Sequence, residues 1–176
     1  MPVGLPLRLA TRDGYRAETF DGLATGYVSA VIDVAPGTTE TGLLFRASVD
    51  GDESYVLRLE PRRGRVVFDR WPRRRTGSEQ WQISGDAPFA IELERPCRLD
   101  PGPHLIEVIL DGSILVAVVD QTVALSTRVY RDPGPRMGFF VADGDATLRS
   151  LTMRARPPDA FSTDLEHNSN QAKVDS

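Results

Sequence analysis

Residues 110–130, LDGSILVAVVDQTVALSTRVY, contain two apolar runs framed by tight-turn signals. Asp111-Gly112 precedes the first run, and an Asp-Gln pair at 120–121 separates it from the second. Short valine-rich runs bounded by such residues are typical of antiparallel strands joined by hairpins. The stretch therefore predicts strands at 113–119 and 123–130. It also raises the question of whether Ser126, Thr127 and Arg128 serve a function or the fold.

The same alternation of apolar and polar residues continues through most of the chain. A period of two is the mark of a half-buried antiparallel strand, and it predicts strands at 27–34, 42–48, 55–60, 65–71, 80–84, 89–94, 104–110, 137–142 and 146–153. In the last strand the apolar parity changes between Leu148 and Leu151, which predicts a bulge near Arg149 or Ser150. Further tight turns are predicted at 50–51, 63–64, 111–112 and 143–144.

No capped segment with helical periodicity occurs before residue 157. About eleven short strands separated by Gly and Pro turns predict an all-β fold, a two-sheet antiparallel β-sandwich of the concanavalin-like jelly-roll type. A length of 176 residues with 40% hydrophobic content is sufficient for one core. We predict one domain at residues 1–156 and a polar, flexible tail at 157–176.

The composition argues against several function classes. A formal net charge of -4 argues against nucleic acid as a partner. The sequence has one cysteine and two histidines, which excludes an intrachain disulfide and a Cys- or His-based metal site. It has no run of 18 apolar residues and no apolar run of signal-peptide length, so we expect a soluble chain without a membrane partner. The cellular location is left open.

Catalytic chemistry finds little support in the sequence. No Gly-x-Ser-x-Gly motif surrounds a serine, and His104 follows a proline at a strand entrance, where a solvated turn histidine is expected. Cys97 is expected to be a half-buried apolar residue. The acidic turns at 50–53 and 143–145 are hairpin signals first. Their oxygens also suit Ca²⁺, but no further ligands follow at a fixed spacing, so no cofactor is predicted.

Arginines and aromatic residues form the most suggestive pattern. Arg46, Arg58, Arg65 and Arg70 occupy polar positions of three successive predicted strands, and aromatic residues lie near the strand ends. Sugars are bound by stacking on aromatic rings and by hydrogen bonds from arginines and carboxylates. The alternative is a solvated outer face of arginines with core or edge tryptophans. The candidate carbohydrate contacts are Arg46, Asp50, Glu53, Tyr55, Trp71 and Trp81.

The final third of the chain resembles a known family. DGSILVAVVDQTVALSTRVY followed by GPRMGFFVADGDATLRSLTM is similar to the C-terminal β-sandwich of glycoside hydrolase family 32, which includes invertases, levanases and inulinases. The matching positions are Asp111, Gly112, Ser113, Ile114, Ser126, Thr127, Arg128, Tyr130, Gly138, Phe140, Ala146 and Leu148. Val116 and Val118 depart from the pattern, because the family commonly has Glu and Phe there. The resemblance extends over residues 25–155.

The resemblance implies an accessory domain, since the family's catalytic residues lie in a separate propeller. The Trp-Met-Asn-Asp-Pro and Glu-Cys motifs of that propeller are missing, and the Arg-Asp-Pro at 131–133 lies in a turn after a sandwich strand. We therefore predict a non-catalytic sandwich that supports a catalytic glycosidase domain. The alternative is a binding module for fructan or other sugar ends, similar to carbohydrate-binding family 66. Ser126, Thr127 and Arg128 are assigned to strand pairing.

Overall fold

The computed structural model describes residues 4–49, 53–70, 93–130 and 134–156. These residues form ten strands and one short 3-10 turn at Pro61–Arg63, with no α-helix among them. The strands are β1 (Leu7–Asp21), β2 (Gly26–Val34), β3 (Glu40–Ala47), β4 (Tyr55–Glu60), β5 (Arg65–Arg70), β6 (Leu93–Pro96), β7 (Gly102–Asp111), β8 (Ile114–Val119), β9 (Val123–Arg128) and β10 (Arg136–Ala155). No helix in this part of the chain could span a membrane.

All strand pairs are antiparallel, in the order β6-β5-β4-β3-β10-β2-β7-β8-β9, and β1 also pairs with β10. The long strand β10 pairs with β3 through its first half and with β2 through its second half. It therefore belongs to two layers, and β1 follows it in both. We call the layer with β3 to β6 sheet A and the layer with β2 and β7 to β9 sheet B.

The predicted sandwich is confirmed, because the main core lies between these two sheets. Core side chains come from alternate positions, such as Val28, Ala30 and Ile32 of β2 and Leu43 and Phe45 of β3. The two ends of the strand order also meet, since β6 contacts β9. A second, smaller apolar cluster lies on the other face of sheet A and comprises Leu44, Ala47, Val56 and Phe140, with Tyr15 and Ala17 packed against it.

The Asp-Gly pair at 143–144 was predicted to be a hairpin turn, and this prediction is wrong. It lies within β10, where the strand bends from sheet A into sheet B. Asp143 has a φ of 46°, and its carboxylate accepts a hydrogen bond from the backbone N–H of Gly14 at 2.7 Å. A positive φ suits a bend as well as a reversal. The local sequence therefore indicates a positive φ, but it does not decide between a bend within a strand and a reversal of the chain.

Other local predictions are confirmed. The ladder between β10 and β2 shifts register between Leu148 and Ser150, at the predicted bulge. Asp120 and Gln121 both have positive φ, in the three-residue connection 120–122 between β8 and β9. Gly64 is left-handed after the 3-10 turn. The turn at 50–51, most of the predicted strands at 80–84 and 89–94, and the predicted tail lie outside the described residues.

Strand β1 was not predicted. Its alternation is interrupted at residues 11–15, where its register against β10 shifts, and most of its side chains are polar. Leu9 and Phe20 nevertheless lie in the core on either side of this irregularity. The pairing partner is at least 115 residues away in the chain, so only the tertiary structure identifies this strand.

Candidate functional site

A buried group of charged side chains lies on the face of sheet A that points away from the main core. We call Glu40, Arg58, Glu60 and Asp69 the Arg58 cluster. The guanidinium Nη2 of Arg58 lies 2.9 Å from Asp69 Oδ2, and Nε lies 2.7 Å from Glu60 Oε1. Glu40 Oε2 is 3.8 Å from Nη1. Arg58, Glu60 and Asp69 are 7%, 1% and 8% exposed, so the centre of this cluster is almost fully desolvated.

The alternation of side chains in the β4–β5 hairpin produces this arrangement. In β4, Tyr55, Leu57 and Leu59 enter the core, so that Arg58 and Glu60 share the opposite face. Asp69 projects from the same face of the neighbouring strand β5, whose Phe68 is in the core. Gly42 is the β3 residue opposite Arg58, and a Cβ there would lie 1.9 Å from the carbonyl oxygen of Leu57. Strand β3 therefore approaches β4 closely under the cluster.

A second layer of ion pairs surrounds the cluster. Arg65 donates from Nε to Glu60 Oε2 at 2.7 Å and also contacts the carboxylate of Glu94 on β6. The hydrogen bond to Glu60 raises the pKa of Arg65, which keeps this guanidinium charged. The side chains of Glu40, Arg65 and Glu94 are 22%, 21% and 53% exposed. The cluster thus has a buried centre and a solvent-accessible rim on which acidic and basic groups alternate.

The predicted contacts Arg46 and Glu53 lie at one end of the sandwich. Arg46 has a φ of 48°, and its guanidinium donates to the carbonyl oxygens of Gly112 and Val129. These two carbonyls belong to the ends of strands in sheet B, so Arg46 links the two sheets. Glu53 accepts a hydrogen bond from Arg70 Nη2 at 2.9 Å. Both side chains therefore have structural partners at this end.

The prediction for Tyr55 requires a correction. Its ring is 5% exposed and stacks on Phe68, with a centroid distance of 5.9 Å and an interplanar angle of 11°. A buried ring offers no face to a sugar, and Tyr55 is a core residue. Its parity in β4 places it with Leu57 and Leu59. Asp50, Trp71 and Trp81 lie outside the described residues, so their predicted sugar contacts stay predictions.

The sequence places Arg58 and Arg65 on polar strand positions, but neither was among the predicted sugar contacts, and the carboxylates of the cluster were missed. Glu40, Glu60 and Asp69 stand at strand ends or next to arginines, where acidic residues are common. The available signal was parity, since Arg58, Glu60 and Asp69 share one face of neighbouring strands. The burial of that face depends on the tertiary structure, and without it the parity alone describes an ordinary polar surface.

His104 was predicted to be a solvated turn residue, and this prediction is wrong. The ring is 6% exposed. Its Nδ1 lies 2.7 Å from Asp120 Oδ2, and its Nε2 lies 2.8 Å from the carbonyl oxygen of Asp100. Asp120 also accepts the backbone N–H of Leu105 at 2.8 Å. His104 therefore ties the β8–β9 hairpin to the start of β7.

Cys97 is buried, and burial raises the pKa of its thiol, which keeps it protonated and unreactive at neutral pH. Within the described ranges, no group of three or more His, Cys, Asp or Glu side chains has the geometry of a metal site.

Ser126, Thr127 and Arg128 lie in β9 and pair with β8. Arg128 Nη1 also donates a hydrogen bond to Ser113 Oγ at 3.2 Å.

Two antiparallel sheets that share β1 and β10 and enclose one main core define an antiparallel β-sandwich. Comparison with solved structures bears this out. The carbohydrate-binding module CBM66 from Bacillus subtilis superposes with a TM-score of 0.65 at 13% identity, over 84% of this chain and 86% of the module. The galectin LEC-6 of Caenorhabditis elegans superposes with a TM-score of 0.57 at 11% identity, over 87% and 99%.

An exo-inulinase from Aspergillus awamori is also similar, with a TM-score of 0.58 and 14% identity over 86% of this chain. The match spans only 30% of the exo-inulinase chain. No family model and no curated protein sequence matches the chain. At these identities the similarity shows the fold, and the fold implied by the resemblance to the family 32 sandwich and to CBM66 is confirmed.

Proposed function

We propose that this chain is a non-catalytic carbohydrate-binding module that recognises neutral sugars, with the ends of fructans as the preferred ligands. The observation that supports the proposal most is the Arg58 cluster on the outer face of sheet A. The similarity in fold to a carbohydrate-binding module and to a galectin supports the same class. The proposal does not extend to catalysis, because the propeller motifs of the resembling family are missing from the sequence.

The chemistry of the cluster suits polyhydroxylated ligands. Each sugar hydroxyl donates one hydrogen bond and accepts others, so it pairs well with neighbouring carboxylates and guanidinium groups. The rim supplies both kinds of group through Glu40, Arg65 and Glu94. The buried centre holds them in place, because Glu60 forms ion pairs with both Arg58 and Arg65. Polar groups that are already oriented lose little entropy when a ligand binds.

Charge narrows the ligand class. The cluster and its rim contain four carboxylates, from Glu40, Glu60, Asp69 and Glu94, and two guanidinium groups, from Arg58 and Arg65. Arg63 adds a third cation at 3.4 Å from Glu60. The balance of four acids and three bases leaves no excess of positive charge. An anionic sugar would therefore gain little attraction here, and a neutral sugar is preferred.

Isothermal titration calorimetry with levan, inulin and sucrose tests the proposal. Arg65→Met removes a rim donor while its aliphatic part is retained, and we expect the affinity for the bound sugar to fall about tenfold or more, which corresponds to roughly 1.4 kcal/mol. Arg149→Met is the matched control, because Arg149 forms an exposed ion pair with Asp33 on sheet B. Absence of heat with all three sugars, or equal affinity in both variants, would contradict the proposal.

A second candidate function is an accessory role beside a fructosyl hydrolase domain. It is favoured by the structural similarity to the exo-inulinase and to a fructosyltransferase from A. japonicus, of which the match covers 27%. In that case titration with sugars is silent, and the chain raises the melting temperature of a separately produced catalytic propeller. Release of fructose by the purified chain alone would overturn both proposals.

A further inference from the structure

The outer face of sheet B is unusually apolar along one strand. In β8, the residues that point away from the core are Ile114, Val116 and Val118, and all three are aliphatic. Ile109 on the neighbouring strand β7 is 52% exposed, and Ile114 is 39% exposed. None of the described strands packs over this face. An aliphatic stripe that faces water is costly and commonly marks an interaction surface.

At the Ile114 end of this stripe, charged residues lie on both neighbouring strands. Ile114 pairs with Asp111 of β7 on one side and with Arg128 of β9 on the other. These three side chains thus form one row across the sheet, with an acid, an aliphatic residue and a base in order. The rows below it contain Ile109, Val116 and Ser126, and then Glu107, Val118 and Ala124.

We propose that this face is the interface of a homodimer whose two-fold axis lies along β8. Such an axis places Val116 against Val116 of the partner subunit, and Ile114 and Val118 against their own counterparts. It also places β7 of one copy opposite β9 of the other. Asp111 then faces Arg128 of the partner subunit, and the same pair forms a second time by symmetry.

The charge pattern selects this axis over the alternative. A two-fold axis across the strands at the level of Val116 exchanges the rows above and below it. Asp111 would then face Glu107 of the partner subunit, and two carboxylates facing each other across an interface are repulsive. Only the axis along β8 joins the aliphatic stripe to itself and opposite charges to each other.

The size of the surface predicts a weak dimer. Four strands spaced about 4.8 Å apart and three rows about 7 Å apart give a footprint about 20 Å on each side. The corresponding area of about 400 Å² per subunit is smaller than the roughly 800 Å² that each partner buries in a standard stable interface. Because the contact uses sheet B, the Arg58 cluster of each subunit stays on the outside. A dimer would then bind a polymeric sugar with two sites, which raises its apparent affinity.

Sedimentation velocity over a wide concentration range tests this inference independently of sugar binding. We expect a reversible monomer–dimer equilibrium in the wild-type chain. Val116→Lys places two ammonium groups against each other at the axis, and it should weaken the dimer tenfold or more. Val31→Lys is the matched control, since Val31 is an outward-facing aliphatic residue of β2 that lies two strands from the axis and one row beyond the three rows of the interface.

A charge reversal tests the orientation. Arg128→Asp should weaken the dimer, and adding Asp111→Arg should restore it, because the two cross-interface pairs are re-formed with opposite polarity. Melting temperatures report whether each variant is folded, since Asp111 also contacts Arg156 within the subunit. A chain that stays monomeric at every concentration would refute the inference. A dimer that is insensitive to Val116→Lys, or one that Val31→Lys weakens equally, would refute it too.

Discussion

Replacement of Arg58 by methionine is the sharpest test of the Arg58 cluster. Methionine approximates the aliphatic part of the side chain but removes the cation that lies among three carboxylates. Glu60 and Asp69 are then left with side-chain exposures of only 2% and 11% and without their central partner. Breaking a buried ion pair on one side typically costs about 3–5 kcal/mol, because the remaining charges are desolvated and lose compensation. Glu60 keeps its ion pair with Arg65 in this variant.

For a domain of this size, each kcal/mol lowers the melting temperature by about 2–4 °C. We therefore expect Arg58→Met to lower it by about 6–20 °C and to shift the urea midpoint without changing the slope of the transition. The control Arg149→Met breaks an exposed pair on sheet B and should cost at most about 1 kcal/mol.

The cause of the loss is tested by neutralising the acids. If uncompensated charge destabilises Arg58→Met, then adding Glu60→Gln and Asp69→Asn should recover much of the stability, since neutral amides cost less to bury than carboxylates. The reasoning is refuted if Arg58→Met costs less than about 1 kcal/mol, or if the triple variant is no more stable than the single one.

Two further substitutions test side-chain contacts that join separate strands and turns. His104→Leu should cost about 1–3 kcal/mol in urea unfolding, because it removes the ring contacts with the Asp120 carboxylate and the Asp100 carbonyl; an unchanged stability would show that these contacts do not stabilise the fold. Arg8 hydrogen-bonds Asp145 and lowers the pKa of that carboxyl, so the contribution of Asp145 to stability is present above about pH 4 and is lost as the pH falls through its folded-state pKa. Asp145→Asn should therefore flatten the acid limb of the stability profile, measured by melting temperature between about pH 5 and pH 2, and an unchanged limb would contradict the assignment.

The candidate site was only partly predictable. Polar parity in the hairpin from residue 55 to residue 70 selected Arg58 and Arg65, and the structure places both at the cluster or its rim. Parity placed Tyr55 on the apolar face with Leu57 and Leu59, but its residue type made it a candidate sugar contact, because tyrosines are common both in cores and on binding surfaces. Burial decided the matter, and burial depends on which sheet lies opposite.

The sequence by itself determined the features that arise within a few residues. Period-two alternation specifies strands, Asp-Gly and Asp-Gln pairs specify positive-φ backbone at a turn or a bend, and a change of parity specifies the bulge after Leu148. These signals are local because they follow from φ, ψ and the direction of successive Cβ atoms. Together they were sufficient to predict a sandwich and most of its strand boundaries.

Only the tertiary structure decided how the strands are shared between the sheets. The bend of β10, its pairing with β1 across at least 115 residues, and the burial of Arg58 among acids from β3, β4 and β5 all join distant parts of the chain. Such contacts depend on which strands become neighbours, and local alternation is compatible with many orders of strands. For the same physical reason, the aliphatic stripe of β8 becomes recognisable as a surface only when the core is known to lie on its other side.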